Sequence, residues 1–138
     1  MPRELSLTAI HSVEELYANS DYLSIHIPAL PTTIKSIGYD LIMKMPKGAT
    51  LVNTARKEVI DEDGLMKALE EREDLKYVTD VMPDNYDQLT KKFGYRVFAT
   101  PKKMGAQTSE ANVNAGLAAA RQIADFFATG CTRFQVNK

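Results

Sequence analysis

The stretch ATLVNTARKEVIDEDGLMKALEE, Ala49–Glu71, decides the fold. Its first seven residues form a short apolar run between Gly48 and Arg56, the pattern of a buried strand. Four residues after Arg56 the pattern changes. The segment opening at Asp61 begins with three acidic residues, which suits the positive end of a helix dipole. Leu65, Met66 and Leu69 then share one helical face. A buried strand, a polar turn and an amphipathic helix in this order make half of a βαβ unit.

Working outward, the same alternation repeats. Upstream, SVEEL places Ser12 three residues before Glu15, a capping-box start for a short helix from about Val13. DYLSIHI is β-rich and alternating, and reads as a strand ending at Pro28. YDLIMKM reads as a short helix stopped by Pro46 and Gly48. Downstream, LKYVTDVM and YRVFAT are strands, and DNYDQLTKKFG is a short helix or turn with a glycine stop. TSEANVNAGLAAARQIADFFATG is a long alanine-rich helix with Thr108 as N-cap and Gly130 as its stop. Ala115, Ala118, Ala119 and Ala120 suit a tight helix–sheet contact, and TRFQVNK reads as an extended tail. Strands alternating with helices predict an α/β fold, a parallel sheet with flanking helices.

Composition narrows the function classes. The chain has 138 residues, the size of one domain, and 44% are hydrophobic, enough for a sizeable core. A formal net charge of −1 argues against a nucleic-acid surface. One cysteine, Cys131, excludes an internal disulfide framework, and His11 and His26 are not spaced as a metal-ligand pair. No apolar run approaches the ~20 residues of a membrane span, and the N-terminus lacks the apolar core of a signal peptide. A soluble, cytoplasmic protein is expected.

Open α/β sheets place ligands beyond the carboxyl ends of their strands. The groups standing there are His26 and Pro28 after the first strand, and Asn53, Thr54, Ala55 and Arg56 after the second. Asp80 and Asp84 follow the third strand, and Lys102 and Lys103 the fourth. Together they could hold an anionic substrate and move a proton. Each also has a plainer reading: a loop arginine in an ion pair, a helix-capping aspartate, a pair of solvated lysines.

Four segments carry a resemblance. LVNTARKEVIDEDGLMKALEE is similar to the signature of the D-isomer-specific 2-hydroxyacid dehydrogenases, and SDYLSIHIPALPTT to the strand and loop preceding it in that family. TDVMPD resembles the family's aspartate-bearing strand end, and TPKKMGAQTSEAN the segment that usually carries the catalytic histidine. The match runs in order from about Ser12 to Ala124, and the lysine variant and closing FQVNK look most like the D-3-phosphoglycerate dehydrogenase branch. The resemblance implies a Rossmann-like NAD-binding domain and oxidation of a D-2-hydroxy acid with NAD. In that branch the reaction is 3-phosphoglycerate to 3-phosphohydroxypyruvate, in serine biosynthesis. It also implies a phosphorylated small-molecule substrate, no nucleic acid or membrane partner, and a homodimer.

Residue by residue, Arg56 stands at the substrate arginine, whose forked donors suit a carboxylate. Asp80 stands at the aspartate that meets the nicotinamide carboxamide. His26, Pro28, Asn53, Thr54, Ala55 and Gly105 fall on cofactor-side positions. The acid/base histidine is replaced by lysine. Anchored on Gly105 and Ala106 the position is Lys103; anchored on Thr100 and Pro101 it is Lys102. A lysine could take the hydroxyl proton only with its pKa lowered, which burial and a neighbouring cation favour.

There are three departures. Asn85 occupies the position of the family glutamate five residues after Asp80, leaving Asp84 as the carboxylate that could orient the lysine. Lys57 stands where the family has a glycine. No G-x-G-x-x-G occurs in these residues, and the ribose-binding acid and substrate domain have no counterpart. The expectation is therefore the C-terminal half of the nucleotide-binding domain plus its returning C-terminal helix, from a cut gene, a late start or a natural remnant. The alternative function is an inactive half domain acting as a folded or dimerising scaffold.

Overall fold

The computed structural model describes residues 8–101 and 108–137. The chain divides into two compact units, Met1–Lys103 and Met104–Lys138. Among the described residues, the first unit holds four strands, β1 (Tyr22–Ile25), β2 (Thr50–Asn53), β3 (Lys76–Thr79) and β4 (Val97–Ala99), four α-helices and two short 3-10 helices. The α-helices are α1 (Val13–Ala18), α2 (Tyr39–Ile42), α3 (Glu62–Glu71) and α4 (Tyr86–Phe93). The strands form one parallel sheet in the order β1-β2-β3-β4. The expected α/β architecture, a parallel sheet with flanking helices, is the one found.

Register explains the core. Leu23, Leu51, Tyr77 and Val97 form one row across the sheet, and Ile25, Asn53, Thr79 and Ala99 the next. All eight are buried. The intervening row is Ser24, Val52, Val78 and Phe98, and there Ser24 and Phe98 are exposed. Side chains alternate across a strand, so the sheet is buried on one face. Right-handed crossovers advancing one way place every connecting helix on that face. Ile42 of α2, Leu65, Ala68 and Leu69 of α3, and Leu89 and Phe93 of α4 complete the core cluster with the two sheet rows.

The helix ends are closed by long-range contacts. Ser12 caps α1, its Oγ accepting from Glu15 N at 3.3 Å, the first half of the expected box. Arg72 donates to the carbonyls of Met43, Met45 and Pro46, which lie just past α2, and pairs with Asp74 at 2.6 Å. Asp74 in turn accepts from Gly48 N at 2.7 Å, where Gly48 has φ +80°, a left-handed turn that favours glycine. Arg96 donates to the carbonyls of Leu69 and Arg72 at the end of α3. These cations satisfy acceptors that a helix leaves orphaned. Glycine is also required at Gly64, where an added Cβ would lie 2.7 Å from Tyr39 N.

The second unit is α5, Ser109–Thr129, and the segment after it. Thr108 Oγ1 accepts from Ala111 N at 3.1 Å, and Gly130 adopts φ +70° as the C-cap. Two local expectations are corrected. β1 stops at Ile25 rather than at Pro28, because no partner strand residue lies beyond Asn53. The tail is not extended: Gln135 N donates to Thr132 O, closing a turn.

Candidate active site

The second strand ends in a fully buried polar residue. Asn53 Oδ1 accepts from Ala55 N at 3.0 Å, and its Nδ2 donates to Arg56 O at 2.9 Å and towards Tyr77 Oη at 3.4 Å. The side chain thus closes the loop of residues 53–56 on itself, as asparagines do in turns. Burial raises the pKa of the Tyr77 hydroxyl and keeps it neutral beneath that loop. Arg56 leaves the loop with extended backbone, φ −144° and ψ 141°. Its side chain is exposed, and Nη1 donates to Ala55 O at 2.8 Å.

The third strand repeats the device. Thr79 Oγ1 donates to Asn53 O at 2.8 Å and accepts from Val81 N at 3.0 Å. Asp80 N donates to Asn53 O, and Thr100 N to Thr79 O, so the ends of β2, β3 and β4 are bound side by side. Asp80 follows. Its Oδ1 is buried and has no hydrogen-bond partner among the described residues. A buried carboxylate oxygen without a donor costs free energy, so such an atom marks a place where a ligand can donate.

These loops border a hollow of about 350 Å³ lined by Arg56, Lys57, Glu58, Asp80, Val81, Met82, Thr100 and Pro101. It lies at the carboxyl edge of the sheet, as open α/β sheets require. A larger hollow, about 470 Å³, sits within the second unit but is walled mainly by Phe126, Phe127, Phe134 and Ile123 and lacks converging charges. The hollow at the strand ends brings Arg56 and Asp80 together.

The other sequence candidates are placed differently. Asn53 is a scaffold of the loop rather than part of the lining, and Thr54 and Ala55 are half-buried beside it. His26 is exposed, with Nε2 2.9 Å from Ser24 Oγ, and Pro28 is exposed with its carbonyl accepting from Thr33 Oγ1. Asp84 is exposed, and its Oδ1 pairs with Lys57 Nζ at 2.6 Å. Lys102, Lys103 and Gly105 lie outside the described residues. Sequence reasoning missed Thr100, Met82 and Glu58 as lining residues. It met Lys57 only as a departure from a glycine, although adjacency to Arg56 was a usable signal.

Two further ties cross between these loops. Glu62 accepts from Asp84 N at 2.9 Å and from Asn85 N at 3.2 Å. Asn85 Oδ1, like Asp80 Oδ1, is buried without a partner among the described residues. The donor set that this edge asks for is an amide or a cation.

The molecule's relatives have this architecture. Residues 3–104 match the family model of the D-isomer specific 2-hydroxyacid dehydrogenase, NAD binding domain. The chain is 31% identical over 134 residues to D-3-phosphoglycerate dehydrogenase of Haemophilus influenzae, covering 93% of this chain and 32% of that protein. It is 34% identical over 84 residues to D-lactate dehydrogenase of Lactiplantibacillus plantarum, covering 61% of this chain and 24% of the relative. Among solved structures, cofactor (NAD+) bound 3-phosphoglycerate dehydrogenase of Entamoeba histolytica superposes with a TM-score of 0.78 at 49% identity, covering 96% of this chain and 44% of that one. The chain spans about a third of the length of the Haemophilus relative.

Proposed function

Because the chain belongs to the D-isomer-specific 2-hydroxyacid dehydrogenase family, we propose that it forms the nicotinamide-side half of an NAD-dependent dehydrogenase acting on a D-2-hydroxy acid. The observation that carries this reading is the buried, unpartnered Asp80 Oδ1 in the same hollow as Arg56. NAD is the cofactor of the domain family, and when bound it supplies the hydride acceptor. Asp80 would accept from the carboxamide. Arg56 would hold the substrate carboxylate with paired donors and polarise the adjacent oxygen. Lys103, or Lys102 in the other register, would take the hydroxyl proton. Lysine chemistry there requires a lowered pKa, so the neutral Asn85 at the family's glutamate position favours it: a carboxylate would hold the ammonium charged.

The phosphoglycerate dehydrogenases among the relatives support 3-phosphoglycerate as the acid; the proposal extends to the first step of serine synthesis, in the cytoplasm and by a homodimer. Calorimetric titration of the purified chain with NADH, alongside Asp80→Ala, tests the reading. Saturable binding that Asp80→Ala weakens about tenfold supports it. A folded chain that binds no NADH would remove it. A second reading, a folded half domain without turnover, is favoured by the exposed sheet row at Phe98.

A further inference from the structure

We propose that Lys57 is a second cation of the substrate site, parked on Asp84, and that it selects 2-hydroxy acids bearing a further anionic group. This rests on the dehydrogenase reading and names its substrate class. Lys57 borders two hollows at once. One is the hollow it shares with Arg56 and Asp80, and the other is lined by Lys35, Glu62 and Asp84. The residue therefore stands between them, with its ammonium on Asp84.

Charge makes the position consequential. The lining of the Arg56 hollow carries two cations, Arg56 and Lys57, against two carboxylates, Glu58 and Asp80. With Lys57 committed to Asp84 outside that hollow, the remaining set is net acidic. An acid with one carboxylate needs only Arg56. An acid with a second anionic group would be repelled by Glu58 and Asp80 unless another cation turned inward. Lys57 is the described cation able to do so, on a flexible four-carbon stem.

The parked state is easily left. The two side chains are 40% and 77% exposed, so the pair is solvent-screened and a competing anion can displace Asp84. The Asp84 carboxylate, hydrogen-bonded to Lys57, holds the ammonium above the ordinary lysine range, so the parked group is charged at neutral pH. Asp84 itself is kept in place by Glu62, which holds its backbone amide, so it is a fixed parking point while the lysine end moves.

The test is a set of titrations of the full chain in saturating NAD+, with D-3-phosphoglycerate and D-glycerate as probes. Lys57→Gln should weaken the phosphorylated acid about tenfold and leave D-glycerate unchanged. Asp84→Asn should tighten the phosphorylated acid by about threefold, a gain that loss of a structural contact would not produce. Lys57→Arg should restore the wild-type ratio. Arg56→Ala should weaken both acids. Equal effects of Lys57→Gln on the two acids, or weaker binding in Asp84→Asn, would overturn the assignment while leaving the dehydrogenase reading intact. NAD+ binding with no binding of either acid would do the same. A chain that takes neither NAD+ nor an acid would overturn both. Circular dichroism of each variant separates misfolding from lost recognition.

Discussion

At the residue scale the site rests on Asn53. Its amide makes three contacts that shape the loop carrying Arg56, and it is fully buried. Asn53→Ala would remove the side-chain hydrogen bonds to the Ala55 amide and the Arg56 carbonyl. The expected cost is about 2–3 kcal/mol in urea unfolding, with weakened NADH binding as well. Arg56→Ala should leave stability within about 0.5 kcal/mol, since the side chain is exposed, while removing acid recognition. Tyr17 gives a pH prediction. Burial pushes its hydroxyl up to about 12 from 10.0. The folded pKa exceeds the unfolded one, so burial of the neutral ring stabilises the fold fully below pH 10, and that contribution is lost as pH rises towards about 12. Spectrophotometric titration should show a tyrosinate step near pH 12 that Tyr17→Phe removes. The sequence pointed to Arg56 and Asp80 because strand ends and motif context mark them. It did not reveal the Lys57–Asp84 pair, because a contact across 27 residues leaves no local periodic trace.

At the element scale, helices and strands were legible where a period was long enough to repeat. α3 begins at its acidic start, and α5 begins and ends where its cap and glycine indicated. The short strands were found but drawn too long, since a strand ends where its neighbour ends and not where its own β-formers do. The arginine caps were invisible, being distant partners of carbonyls. Arg72→Ala should therefore act beyond its own helix. It would remove one donor from each of three carbonyls past α2 and break the ion pair with Asp74, lowering stability by about 2 kcal/mol in denaturant unfolding. Asp74 adds a pH signature. The Arg72 guanidinium holds its carboxyl well below the ordinary carboxylate range. Its contribution is present above the unfolded carboxylate pKa and is lost only as pH falls through the lower folded value. Acid unfolding of Arg72→Ala should accordingly lose that acid-dependent component.

At the scale of the whole molecule, the two units differ in how they are held. The first has a continuous core beneath its sheet, whereas α5 buries none of its residues. Amide exchange should reflect this: β2 and β3 amides protected to near the global stability, and those of α5 exchanging at least about a hundredfold faster. Equal protection would show α5 to be covered in solution. The one-sided sheet carries a last consequence. Asn53 and Thr79, which shape the ligand loops, occupy the same register row as Ile25 and Ala99. A slip of one residue in either strand would send its apolar side chains to water and its loop-shaping polar group to the wrong side. The shape of these loops and correct pairing are thus a single yes-or-no outcome of folding, with no partly formed version of the loops in a misthreaded sheet.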